Sequence, residues 1–324
     1  MKYNFCTLFD KNYVFQGLAL YESLEKYCPD FQIFILCLDD ETYNLLVKLK
    51  LSHSKLVKLS EIESRELLEA KANRSRGEYC WTLASVFTYF LLKNKPELDD
   101  IAYLDSDIYF YSSPEPIYQE LGDKSILIIK HNYPEKLRYL EKNGVYNVAM
   151  VIFKNNAAGL ACLEWWQAEV IKWCYNRCED GKFGDQAYLD DWTTRFQGVH
   201  VLSHPGGNVA PWNLNNYKVD YINQSIKINQ KNLIFYHFHT FKILEKNKFQ
   251  KYSSFYSFNK KTESLIYNLY IENIKKNILK VNQVDPFFNG GYRSGEKLIS
   301  IIKQKIKKLL VNINFLYQKY GKKD

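Results

Sequence analysis

This chain of 324 residues lacks paired cysteines and long apolar runs. Its seven cysteines, at positions 6, 28, 37, 80, 162, 174 and 178, are odd in number and scattered, and none forms the pair of pairs that a tetrahedral zinc site needs. Reduced, structural, cytosolic thiols are the reading that remains. Cys174 and Cys178 fall one turn apart in a predicted helix, but no second pair completes a site. Nowhere do about 18 apolar residues run uninterrupted, so no membrane-spanning helix is predicted. The opening MKYNFCTLFD has no charged start, long apolar stretch or small-residue cleavage site, so no secretory signal is expected and the sequons at Asn73 and Asn223 carry no meaning. There is no internal repeat and no recognised nucleic-acid module, which removes nucleic acid as an expected partner. The expected location is the cytoplasm.

What is present suits a packed globular protein, with 46% hydrophobic and 25% charged residues. Aromatic residues reach 16%, and such rings pack against sugars and bases as well as in cores. The net charge of +8 is placed unevenly: nine basic and two acidic residues between Arg293 and Asp324 account for +7.

The first half alternates between strand-like and helix-like segments. KYNFCTLF, FQIFILCL, a short stretch near Lys55–Leu59 and IAYL read as buried strands. YVFQGLALYESLEKYC, DDETYNLLVKLK, SEIESRELLEAK and a stretch from about Glu78 to Lys93 read as helices. This alternation predicts an α/β fold with a mostly parallel sheet flanked by helices. The second half is more mixed. SILIIK, YNVAMVIF, GVHVLSH and NLIFYHFH look like strands, and AAGLACLEWWQAEVIKWCYNRC looks like one long helix.

Ligands on a parallel sheet gather beyond the carboxyl ends of its strands. Asp105 and Asp107, in YLDSDIYFY, stand at such an end one residue apart. Two extended-chain carboxylates can address one hard divalent ion, Mg²⁺ or Mn²⁺, and leave positions open for phosphate oxygens. A solvated turn with two chance acids is the competing reading. A haloacid-dehalogenase-like phosphatase also begins with Asp-x-Asp, but its pattern wants Thr or Val where this chain has Tyr109.

The succession CTLFDKNYVFQGLALYESL, RSRGEYCWTL, YLDSDIYFY, YNVAMVIF, GDQAYLDDW and YHFHTFK resembles the GT-A nucleotide-sugar glycosyltransferases, from about Tyr3 to Lys242. It is most similar to the retaining family-eight type and to related bacterial nucleotide-diphospho-sugar transferases. The resemblance implies a metal-dependent transfer of sugar, with retention, from a nucleotide-diphosphate donor, UDP-sugar in most such families; the basic tail, by itself, suits a glycan or lipid-linked acceptor. It implies Mn²⁺ (or Mg²⁺) held by Asp105 and Asp107, with His237 completing the site and His239 the near alternative. Thr7, Phe9, Asp10 and Tyr13 match the segment that cradles base and ribose, although Phe9 also suits core packing. Lys242 is matched to the diphosphate or to plain surface. Asn147 matches a residue facing the donor sugar or acceptor, but Val148 and Ala149 stand where relatives have Ala-Gly. Asp185 and Gln186 match the segment under the anomeric carbon, with Asp185 binding hydroxyls or capping a helix, and Gln186 opposite the leaving group. Arg74 and Arg76 precede a helix whose amino end favours anions, and Arg76 is the preferred phosphate or hydroxyl partner. Trp212, in the loop HPGGNVAPWNL, reads either as a sugar-stacking surface or as a buried structural ring.

The expected division is a catalytic GT-A domain over 1–245 and a helical extension over 246–324. Near the end, Ile299, Ile302, Ile306, Leu309, Ile313, Leu316 and Tyr320 recur every three or four residues with lysines elsewhere, which predicts an amphipathic helix. It suits either an anionic membrane surface or docking on protein. A non-catalytic carbohydrate-binding or scaffolding protein on the same fold is the alternative function.

Overall fold

The computed structural model describes residues 2–320. The first half runs β1 (Tyr3–Phe9), α1 (Val14–Tyr27), β2 (Phe31–Cys37), α2 (Asp40–Leu49), β3 (Ser54–Lys58), α3 (Arg65–Asn73), α4 (Arg76–Asn94), β4 (Asp100–Leu104), β5 (Ile108–Phe110), α5 (Glu115–Leu121) and β6 (Ile126–Lys130). Then come β7 (Tyr146–Lys154), α6 (Ala157–Lys172), α7 (Trp192–Arg195) and β8 (Val199–Val201). An antiparallel ribbon of β9 (Val219–Ile222), β10 (Ser225–Ile228) and β11 (Lys231–Asn232) precedes β12 (Phe235–His237). The hairpin β13 (Lys242–Glu245) and β14 (Lys248–Gln250) leads to α8 (Lys260–Val284) and α9 (Leu298–Tyr320).

Seven strands form the central sheet in the order β3-β2-β1-β4-β7-β6-β8. Neighbours are parallel except around β7, which runs antiparallel to both β4 and β6. Phe5, Ile33 and Ile35 face the layer that contains α1 and α8. Cys6, Leu8, Phe34 and Leu36 face the layer of α4 and α6. With both faces covered, the strands read as unbroken apolar runs, and this is why they were legible.

Helix starts follow local capping chemistry. Asp39 accepts from Thr42 N–H at 2.7 Å to cap α2, and Ser75 with Glu78 closes a capping box on α4. The box places Arg76 inside the first turn of α4 rather than before it. The long helix expected through Cys178 stops at Lys172, so Cys174, buried, and Cys178, exposed, share no helical face.

The boundary expected after residue 245 does not divide the core. Ile266, Tyr267, Tyr270, Ile274 and Ile278 of α8 are fully buried in the same cluster as β1 and α1, and Tyr270 stacks on Phe238 at 3.6 Å. Only α9 is applied from outside. Gln304 Oε1 accepts from Ser254 Oγ at 3.0 Å and Phe255 N–H at 3.1 Å, and Lys308 donates to Ser257 Oγ at 2.8 Å. The opposite face carries Ile302, Ile306, Leu309 and Ile313, all about half exposed. The side chain of Tyr320 and residues 321–324 lie outside the described part. Among the described residues, no helix is long and apolar enough to cross a membrane.

Candidate functional site

The carboxyl ends of β1 and β4 open on a cleft of about 850 Å³. Asp105 leaves β4 with its N–H on Ala149 O at 2.9 Å, and β5 begins three residues later. β5 pairs with β12 so that Ile108 lies opposite His237, while Phe238 N–H donates to Asp107 O at 2.8 Å. This register carries a histidine from late in the chain to the two aspartates. His237 Nε2 stands 3.2 Å from Asp107 Oδ1 and 3.9 Å from Asp105 Oδ2. One ligand atom from each of the three lies within 4.8 Å of the others. Two carboxylate oxygens and an imidazole nitrogen at this spacing fit a hard or borderline divalent cation.

The electrostatics describe a site short of positive charge. Burial pushes the Asp105 carboxyl up to about 6; His237 opposes the rise and Asp107 adds to it. Burial would raise Asp107 too, but the charge and hydrogen bond of His237 hold it below its ordinary value. His237 is raised in turn: burial opposes its charge, and Asp107 and then Asp105 overcome that burial. Asp185 is driven well above the carboxylate range by burial and then by Asp105. Three carboxylates in one desolvated pocket repel each other, and a divalent ion relieves that repulsion.

The cleft gathers most of the sequence-predicted residues. Phe9, Asp10, Tyr13, Arg76, Asn147, Asp185, Gln186, Trp212 and His237 line it with Asp105 and Asp107. Gly184, at φ +53 with the Trp81 ring 3.3 Å from where a Cβ would sit, turns the chain so that Asp185 enters the cleft. Asp185 is buried and makes no side-chain cap; Gln186 holds the cap position of the short helix after it. The Gln186 amide donates from Nε2 to Asn143 O at 2.6 Å. Asn147 bridges His131 Nε2 at 3.1 Å and Ala149 N–H at 2.8 Å, so it is fixed by its own backbone. Arg76 pairs with Asp10 and, at 3.5 Å, with Asp39. Arg74 is spent on structure, with Thr82 and, at 2.5 Å, Ile171 O.

Other positions differ from expectation. Thr7 is fully buried in the core with an unpartnered hydroxyl, because it lies two residues short of Phe9, the end of β1, where the cleft opens. Phe9 is 2% exposed and packs against Gly17 of α1, as its core reading expects, and also lines the cleft. Lys242 sits on the β13–β14 hairpin and is not among the cleft residues. Trp212 is buried, donating from Nε1 to His131 O at 2.8 Å, and its ring stands edge-on to His237 at 5.3 Å and to His239 at 5.5 Å.

Sequence reasoning passed over Tyr103, His131, Tyr256 and Arg293, all of which line the cleft. Tyr103 OH donates to Asp105 Oδ1 at 3.0 Å, and parity on β4 with Asp105 was the available signal. The other three come from loops whose course no local pattern encodes.

No known family profile matches the chain. The uncharacterized protein YfnF of Bacillus subtilis (strain 168) is 34% identical over 294 residues, covering 88% of this chain and 96% of YfnF. The uncharacterized protein YfnD of the same organism is 31% identical over 293 residues, covering 90% and 94%. Among solved structures, the galactosyltransferase LgtC in complex with donor and acceptor sugar analogues aligns with 84% of this chain and 95% of its own, at a TM-score of 0.52 and 13% identity. The bifunctional glycosyltransferase WbbM aligns with 86% of this chain and 51% of its own, at 0.51 and 16%. At such identities these structures establish the shared GT-A architecture. The chain belongs to the family of Bacillus subtilis YfnF and YfnD, built on the glycosyltransferase GT-A fold.

Proposed function

We propose that the protein is a metal-dependent glycosyltransferase that moves a sugar from a nucleotide-diphosphate donor, UDP-sugar by resemblance, to a glycan or lipid-linked acceptor with retention. The observation that carries this reading is the meeting of Asp105, Asp107 and His237 at the strand ends, with Asp185 and Gln186 lining the same cleft. Asp105, Asp107 and His237 hold Mn²⁺ (or Mg²⁺), which when bound neutralises the charge that grows on the departing diphosphate. Asp10 and Tyr13 receive the base and ribose. Asp185 accepts from sugar hydroxyls. Gln186, whose Nε2 is engaged by Asn143 O, keeps its carbonyl oxygen for the cationic sugar. An amide is a poor nucleophile, so this arrangement favours front-face attack over a covalent intermediate.

The extension contributes a place of work. The outward stripe of α9 is apolar at its centre, and at 100° per residue Lys303 and Lys305 fall on its two margins. That distribution fits an anionic bilayer, apolar side chains among the acyl chains and lysines at the headgroups, at the inner face of the membrane. Anionic liposomes should pellet the full chain and not a chain stopped after Lys297; equal pelleting would remove the membrane from the reading.

The test of activity is a thermal-shift panel of UDP, GDP, CDP and their sugars with Mn²⁺, Mg²⁺ or chelator. One nucleotide class should stabilise the protein only with metal, and its sugar should then be turned over slowly in the same metal-dependent way. Binding without turnover, with acceptors supplied, supports the non-catalytic alternative. A product of inverted anomeric configuration overturns retention.

A further inference from the structure

The cation that faces the carboxylate cluster from the C-terminal side is Arg293, which the chain delivers by an elaborate route. After α8, Asp285 is held by Lys48 Nζ at 2.9 Å. Phe288 and Tyr292 then close edge-on over Phe15 of α1, at 6.0 and 5.9 Å between ring centroids. Gly291, at φ +84, lies where a Cβ would run into the Phe15 ring, so the backbone approaches α1 more closely than any other residue permits. Arg293 N–H donates to Ile243 O at 2.8 Å. The backbone of Arg293 is thus pinned on both sides, by α1 and by β13.

Its side chain is less well served. The guanidinium lies over the Tyr13 ring, 3.7 Å from the centroid, and lines the cleft with Asp105, Asp107 and His237. Nη2 is buried without a hydrogen-bond partner. Among the described residues no carboxylate forms an ion pair with it, although it is near enough to Asp107 to favour that group's charged form, behind the larger effect of His237. The residue as a whole is half-buried, but a guanidinium nitrogen shielded from water with no acceptor is costly unless an anion completes it. Its planar fork suits two phosphate oxygens. Its place is between Tyr13, the ring proposed for the nucleoside, and Asp107, proposed for the metal. A diphosphate runs between those two points.

We propose that Arg293 is the phosphate-binding residue that selects a nucleoside diphosphate over a monophosphate, carried into the donor site by the segment joining α8 to α9. It fills the role that the sequence suggested for Lys242. This rests on the glycosyltransferase reading. In the free protein the guanidinium is stacked on Tyr13; in the complex it forks to the diphosphate and withdraws charge from the leaving group alongside the metal site. The C-terminal extension is then part of the catalytic unit, and a chain shortened before Arg293 loses the donor along with α9.

Calorimetric titrations of the full chain with UDP, UMP and inorganic pyrophosphate, each with Mn²⁺, test it. Arg293→Ala should weaken UDP and pyrophosphate by at least about tenfold, the value of one charged hydrogen bond, and UMP by clearly less. Arg293→Lys should recover part of the loss, because it keeps the charge and loses the fork. The ratio of UDP to UMP affinity is the decisive number, since damage to the Tyr13 surface alone weakens both alike. A ratio unchanged from wild type in Arg293→Ala and Arg293→Lys, with unfolding temperatures kept, overturns the role of Arg293 and leaves the glycosyltransferase reading standing. Failure of the wild-type chain to bind UDP, GDP, CDP or pyrophosphate with Mn²⁺ overturns both.

Discussion

The two walls of the cleft are made in opposite ways. One consists of strand ends and helix starts that follow each other along the first half of the chain: Asp10 after β1, Arg76 at the start of α4, Asp105 after β4. The other is assembled from His131, Trp212, His237, Tyr256 and Arg293, which no single supersecondary unit contains. The first wall is positioned by the sheet, because each residue sits one step beyond a hydrogen-bonded strand or in the first turn of a capped helix. The second is stitched by side chains to backbone. Trp212 Nε1 and Asn213 Nδ2 both donate to His131 O at 2.8 Å, Asn208 Nδ2 donates to Lys130 O at 3.0 Å, and His237 N–H donates to Val209 O at 2.8 Å. The stitches lie in buried or partly buried surroundings, so each is strong in place and expensive to lose. The first wall supplies the paired negative charge and Arg76; the second supplies His237 and Arg293.

Breaking the first wall should have the largest effect. Asp105→Ala or Asp107→Ala should cut metal-dependent turnover of the nucleotide sugar about a thousandfold, on the scale of several kcal/mol of transition-state charge stabilisation. Because both act through one ion, the double variant should be little worse than either single one in the same assay. Equal, independent losses would separate the two aspartates.

The second wall is tested by its histidines. His237→Ala should weaken Mn²⁺ binding about ten- to a hundredfold in a fluorescence or calorimetric titration, while His239→Ala leaves the cation affinity within a few-fold. The reverse order would reassign the ligand to His239, whose ring also lies against Trp212.

A pH experiment reads the stitching itself. Burial drives the His131 pKa down to about 3. That lies below the ordinary 6.5, so the unfolded chain takes up the proton more readily than the folded one. The stability is complete above about 6.5 and falls as the pH drops from there toward 3. Between pH 6.5 and 5 the cost should be about 2 kcal/mol, measured by urea unfolding, and a His131→Gln variant should show a flatter profile over that window. The smallest effect expected is from Trp212→Phe, which keeps a ring over His237 and removes the Nε1 hydrogen bond, for about 1 kcal/mol in the same urea experiment. A loss of donor affinity without loss of stability would instead make the indole a ligand surface.

Legibility follows the same division. Asp105 and Asp107 were readable because an apolar strand run ends at Leu104 and extended geometry aims alternate side chains alike. Asp185 and Gln186 were found through the resemblance of GDQAYLDDW to the family's Asp-Gln segment. His237 was found through resemblance, and the choice over His239 depended on the β5–β12 register. Thr7 was misplaced because it lies inside the buried strand, short of the carboxyl end at which Leu8 and Phe9 reach the cleft. Arg293 was invisible: the pattern around it says only glycine-rich turn before a basic helix, and its partners Tyr13 and Ile243 lie 280 and 50 residues earlier in the chain.

By itself the sequence determined what depends on near neighbours: the alternation of strands and helices, the carboxylates at a strand end, and the two-faced character of α9. These rest on periodicity and on hydrogen bonds within a turn of chain. Tertiary structure alone decided which histidine meets the aspartates, that Arg293 rather than Lys242 enters the cleft, that α8 belongs to the core, and that the apolar stripe of α9 points away from the body. Those outcomes depend on which distant segments close on each other and how their side chains pack, a property of the whole fold that no short window of residues contains.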